Sequence, residues 1–135
     1  MKYLLLFFLF PTITFAQFGK PTVKLIYQDK EIQSGAEIDF KDSVKLEIRM
    51  DSLPNGYKFF VPYIYWFGKN FKPEYKTDSL LYSKSGIVNS MFYEKIPLGG
   101  MVGVEIIKMS IISPDGTETK LQLPISELVR SFIVK

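Results

Sequence analysis

Any chemistry in this chain has to be done without histidine and cysteine, because it contains neither. That removes the imidazole base, the thiol nucleophile and the usual nitrogen and sulfur ligands of zinc. Carboxylates, Ser, Lys and Tyr remain. Asp39, Asp42 and Asp51 lie near the two ends of one alternating stretch. With no catalytic signature around them, they read as turn and solvent-face residues. Calcium is the one metal worth weighing: Asp29 with Glu31, or Asp39 with Asp42, offers oxygen ligands. Neither pair has the loop pattern of an EF-hand, so no metal site is assigned. Gly99-Gly100 with Gly103 lacks the spacing and the Lys of a phosphate-binding loop. No catalytic residue and no cofactor site follows from the sequence, and the expected class is a non-enzyme.

The aromatic residues are the better lead. Tyr57, Phe59, Phe60, Tyr63, Tyr65, Trp66 and Phe67 crowd into residues 57–67, and Phe71 and Tyr75 lie just beyond. Tyr63, Tyr65, Trp66, Phe71 and Tyr75 form the candidate binding surface. Aromatic faces stack on the C–H bonds of sugars, and Tyr and Trp are enriched where proteins meet. The competing reading makes Phe59, Tyr63 and Trp66 core. Charge adds little: 17 basic against 14 acidic residues give +3, an ordinary surface and no nucleic-acid footprint. Lys69, Lys72 and Lys76 form a loose basic group with Glu74 inside it, which reads as a solvated loop before an anion site.

The elements that must position these residues are strands. Val44, Leu46, Ile48 and Met50 alternate with Lys45, Glu47, Arg49 and Asp51, the pattern of a strand with one face in a core and one in water. Residues 21–28 alternate too, turn at Gln28-Asp29-Lys30, and are followed by short strands near 31–33 and 36–40. Leu53-Pro54-Asn55-Gly56 is a turn. Residues 57–67 read as one aromatic strand, with Pro62 marking an edge or a bulge. Residues 79–82 and 87–96 read as further strands. In residues 101–112 the apolar phase slips at Ile106-Ile107; a β-bulge there would keep Val102, Val104, Ile106, Ile107, Met109 and Ile111 on one face. Ser113-Pro114-Asp115-Gly116 is a hairpin signal leading to a strand over 117–123. Ser126 and Glu127 suit a short helix start, and residues 130–134 read as the last strand. The fold class is all-β, a single antiparallel sandwich of about seven to nine strands.

This order resembles an immunoglobulin-like or fibronectin type III-like domain. The strand at 44–50, the turn at Leu53-Pro54-Asn55-Gly56 and the aromatic strand resemble its second and third strands. Ile96-Pro97-Leu98-Gly99-Gly100 leading into Val102 and Val104 resembles the approach to its sixth, and Ser113-Pro114-Asp115-Gly116 the hairpin before its last. The tyrosine corner and the cysteine pair of antibody domains are missing. The resemblance implies a binding or spacer role rather than catalysis. Residues 1–16 read as a signal peptide: a short basic start, the apolar run Leu4 to Phe10, Pro11, and Thr14-Phe15-Ala16 before Gln17. The run is too short for a membrane span, which takes ~20 apolar residues. Its end resembles export signals common in Bacteroidota. The expectation is a domain over residues 17–135, exported to the periplasm or the exterior and not integral to a membrane. Its expected partner is another envelope protein, with a glycan as the alternative.

Overall fold

A computed structural model describes residues 18–68, 71–75 and 82–135, with the backbone alone for 71–75. The expected signal peptide, Lys69 and Lys76 of the basic group, and residues 79–81 of the strand expected at 79–82 lie outside what is described; Lys72 and Glu74, expected in a solvated loop, lie on a strand over residues 71–75. Among the described residues there are strands β1 (Thr22–Tyr27), β2 (Lys30–Ile32), β3 (Ala36–Ile38), β4 (Val44–Arg49), β5 (Lys58–Phe60), β6 (Ile64–Gly68), β7 (Phe71–Tyr75), β8 (Tyr82–Ser83), β9 (Ile87–Phe92), β10 (Met101–Ile106), β11 (Ser110–Ile112), β12 (Glu118–Lys120) and β13 (Val129–Val134). The one helix among them, α1 (Ile125–Leu128), is four residues long. The class is all-β, as the alternating pattern requires.

The strands form three sheets. The first runs β2-β1-β4-β9 and the third β12-β11-β5-β8, both antiparallel. The second runs β3-β13-β10-β6-β7 and is antiparallel except where β3 lies parallel to β13. The first and second sheets face each other. β4 delivers Val44, Leu46 and Ile48 to the space between them, and Lys45, Glu47 and Arg49 point away. Across the gap the Trp66 indole N–H donates to Ser90 Oγ at 2.8 Å. Phe92 packs 5.3 Å from Trp66 and 6.0 Å from Phe132, ring centroid to ring centroid. Phe40 closes one end of this cluster against Tyr27, Phe92 and Phe132. At the other end Lys20 pairs with Glu127 at 2.5 Å, just ahead of β13.

The strand count exceeds the seven to nine expected, and two breaks account for much of it. The aromatic stretch is not one strand. It stops at Val61-Pro62-Tyr63, where Pro62 has no N–H for a ladder, and β5 and β6 join different sheets. The stretch over 101–112 also divides, at Ile107-Lys108-Met109, so the expected single-residue bulge is a three-residue crossing. Ile107 is exposed while Val102, Val104, Ile106, Met109 and Ile111 are buried. The two breaks sit side by side, with Ile107 N–H donating to Tyr63 O at 3.2 Å. The paired strands β6 and β10 thus turn the corner together and reappear as the pair β5 and β11 in the third sheet.

The turns follow their residues. Gly116 takes φ +89° and its N–H donates to Ser113 O at 2.9 Å, closing the β11–β12 hairpin. β12 ends at Lys120, earlier than expected, although Leu121 is still buried. β9 likewise ends at Phe92, and Tyr93 to Lys95 are exposed.

Candidate functional site

Alternation decides what the second sheet shows to solvent. On β6, Ile64 and Trp66 point inward, so Tyr65 and Phe67 point out. On β10, Val102, Val104 and Ile106 face the core, which turns Met101 and Glu105 outward and puts Gly103 on the outer face, where it is itself buried. On β13, Phe132 and Val134 face the core and Val129, Ser131 and Ile133 do not. The register aligns these in rows: Met101 opposite Ile133, Gly103 between Phe67 and Ser131, Glu105 between Tyr65 and Val129. Tyr63 continues the line past the end of β6, 53% exposed, beside exposed Ile107.

Gly103 is the floor of this face. A Cβ built there would lie 2.5 Å from Phe67 Cζ, so the Phe67 ring rests directly on the glycine backbone. Phe67 in turn stacks on Tyr65, centroids 5.8 Å apart and planes 30° apart. The result is an aromatic and aliphatic strip from Met101 to Tyr63, on which Glu105 is the one carboxylate of β6, β10 and β13 in the outward register.

The candidate residues divide accordingly. Tyr63 and Tyr65 belong to the strip. Trp66 does not: it is 0% exposed, bonded to Ser90, and part of the core. Tyr75 takes the register position opposite Tyr65, and Phe71 the one opposite Gly68; their side chains lie outside the described residues. Phe67, Met101, Gly103, Ile107 and Ile133 were missed. Once Trp66 is placed inside, alternation alone finds Phe67. The buried parity of Val102 and Val104 finds Met101 and Gly103.

The candidate carboxylates are dispersed. Glu31 pairs with Lys24 at 4.0 Å, Asp39 with Lys41 at 3.7 Å and Asp51 with Arg49 at 4.0 Å. Asp29 and Asp42 do share the lining of one cavity, with Lys45. No group of three or more acidic residues that could hold a metal ion forms among the described residues. Among the described residues two carboxylates are perturbed, both on the β11–β12 hairpin. The Ser113 hydroxyl, then the Thr117 N–H at 2.9 Å, hold Asp115 down to about 2. Lys108 at 2.6 Å, then the Ser110 hydroxyl at 2.8 Å, lower Glu118. These bonds favour the charged forms and tie the hairpin together.

No protein-family model matches the chain, and a search of curated proteins gives no significant match. No helix among the described residues is long and apolar enough to cross a membrane.

Proposed function

We propose that this chain is an exported, non-catalytic interaction module of immunoglobulin-like type that docks a partner protein on the outward face of β6, β10 and β13. The single observation behind this reading is the strip itself. Tyr63, Tyr65, Phe67, Met101 and Ile133 lie contiguous on a sheet face whose central position is a glycine covered by the Phe67 ring. A contiguous apolar patch that includes Tyr is the composition of a docking surface, because its burial against a partner removes apolar area from water. The strand order supports the fold type. β1, β4 and β9 stand where such sandwiches place A, B and E, and β6, β7, β10 and β13 where they place C, C′, F and G. Export rests on residues 1–16, and a mature mass beginning at Gln17 is the outcome that supports it. The glycan alternative is weaker on this strand, since its largest stacking surface, Trp66, is buried.

The experiment is affinity capture of the tagged protein from its native cell envelope after mild cross-linking. It is run in parallel with the double variant Tyr65→Ser/Met101→Glu. The reading predicts one partner at near-equal amounts, cross-links on the outward face, and loss of capture in the variant at unchanged melting temperature. Capture that survives in the folded variant would overturn it.

A further inference from the structure

A second feature, remote from the strip, is a cavity of about 330 Å³ at the end of the first sheet where β4 finishes. Leu53, Pro54 and Tyr57 give it apolar walls, and Lys58 and Lys84 are its charged residues. Among the described residues no carboxylate lines it, and neither lysine makes an ion pair. This separates it from two other surface cavities. One mixes Lys20, Lys24 and Arg130 with Glu31 and Glu127, and the other sets Lys45 against Asp29 and Asp42. It also separates Lys58 from Lys108. Both stand over an aromatic ring of the same stacked pair, Lys58 5.7 Å from the Tyr82 centroid and Lys108 5.5 Å from that of Phe60. Lys108 is paired with Glu118 at 2.6 Å, whereas Lys58 has no carboxylate partner among the described residues.

Both lysines sit on fixed backbone. The Tyr57 N–H donates to Pro54 O at 3.1 Å, and Gly56, at φ +84°, lies against Pro114. Lys84 stands in a turn pinned by the Ser83 hydroxyl, which bonds both Ile87 O and Ile87 N–H. That turn is tied to the end of β4 by the Met50 N–H on Gly86 O at 2.8 Å. A cationic, apolar-walled cavity on rigid turns is set up to hold an anion that carries a ring body. The volume is at the small end of ligand sites, suited to a single sugar-sized unit. Pro54 and Tyr57 offer apolar surface to the C–H faces of a sugar, and Lys58 and Lys84, the charged residues of the lining, offer partners for its acidic substituent.

The geometry points to a binding site for an acidic sugar unit of a polysaccharide, carboxylated or sulfated, held between Lys58 and Lys84. The test is calorimetric titration of the protein with polygalacturonate, dextran sulfate and neutral dextran, together with amide-shift mapping. The site predicts binding of an acidic polymer and none of neutral dextran, with shifts at residues 53–58 and 82–86. Polygalacturonate binding alone assigns a carboxylated unit, and dextran sulfate binding alone a sulfated one. Lys58→Glu/Lys84→Glu is expected to lower affinity at least tenfold. Lys30→Glu/Lys95→Glu, which changes the same charge at the far end of the first sheet, is expected to leave it unchanged. The inference is overturned if neither acidic polymer binds, if neutral dextran binds equally, or if the two double variants behave alike while folded. The sheet-face variant Tyr65→Ser/Met101→Glu is expected to titrate as wild type, so this site and the docking strip stand or fall separately.

Discussion

Ser90 is a small polar residue at 0% exposure among aromatics, and its hydroxyl accepts the Trp66 N–H. Ser90→Ala removes that acceptor in a place water does not reach. The expected cost is about 1–3 kcal/mol, read as a shift of the denaturation midpoint. Trp66→Ala is expected to cost about 3–5 kcal/mol, since it leaves a cavity where the sheets meet. Gly103 should behave in the opposite sense. A methyl group there meets the tip of the Phe67 ring, which can swing outward. Gly103→Ala is therefore expected to keep the melting temperature within a few degrees yet weaken partner capture severalfold by tilting the strip. A stability loss as large as that of Trp66→Ala would show that Phe67 is structural and not presented. The contrast between Trp66 and Phe67 could not be read from composition. Both are large aromatics one position apart, and only the parity of the strand separates them.

At the level of elements, the β11–β12 hairpin is held by its own carboxylates. The Ser113 and Thr117 hydrogen bonds hold Asp115 down to about 2 against an ordinary value of 3.8, and Glu118 is lowered as well. A depressed folded-state pKa gives stability that is present above the unfolded value and lost as pH falls through the folded one. Between roughly pH 4 and 2 this hairpin should loosen before the facing sheets do. Amide exchange is expected to rise first at residues 110–120, and Asp115→Asn should remove most of the pH dependence within the turn. Uniform acid loosening across all three sheets would contradict this. The hairpin itself was legible in Ser113-Pro114-Asp115-Gly116, as were β1, β4 and the start of β13, because turn residues and period-two alternation act over a few residues. The two sheet-crossing breaks were not. Pro62 signalled an interruption, and the phase slip at Ile106-Ile107 signalled another. That they lie side by side, and so form one corner, is a long-range pairing which neither segment states alone.

Over the whole molecule, the three sheets contribute to a single buried cluster running from Val23 and Leu25 through Trp66 to Phe59, Ile111 and Leu121. The chain has no disulfide to hold any part separately. Thermal unfolding is therefore expected to be one transition, with Trp66 fluorescence and far-ultraviolet circular dichroism tracing coincident curves. Two separated midpoints would mean the third sheet melts on its own. The outward strip is half visible in the sequence: Tyr63 and Tyr65 stand among the sequence candidates, but its floor and aliphatic end come from β10 and β13, some forty to seventy residues away in the numbering. One consequence of the last strand's placement is mechanical. Lys20 is pinned to Glu127 where β13 begins, and Lys135 leaves where it ends, its N–H bonded to Ile38 O at 3.0 Å. Tension that draws Lys135 away from the rest of the sheet runs along β13, and β13 is clamped on one side by β10 and on the other by β3. Its ladder bonds are then loaded side by side in shear and must give way together, so the domain resists stretching far better than a hairpin peeled open one rung at a time.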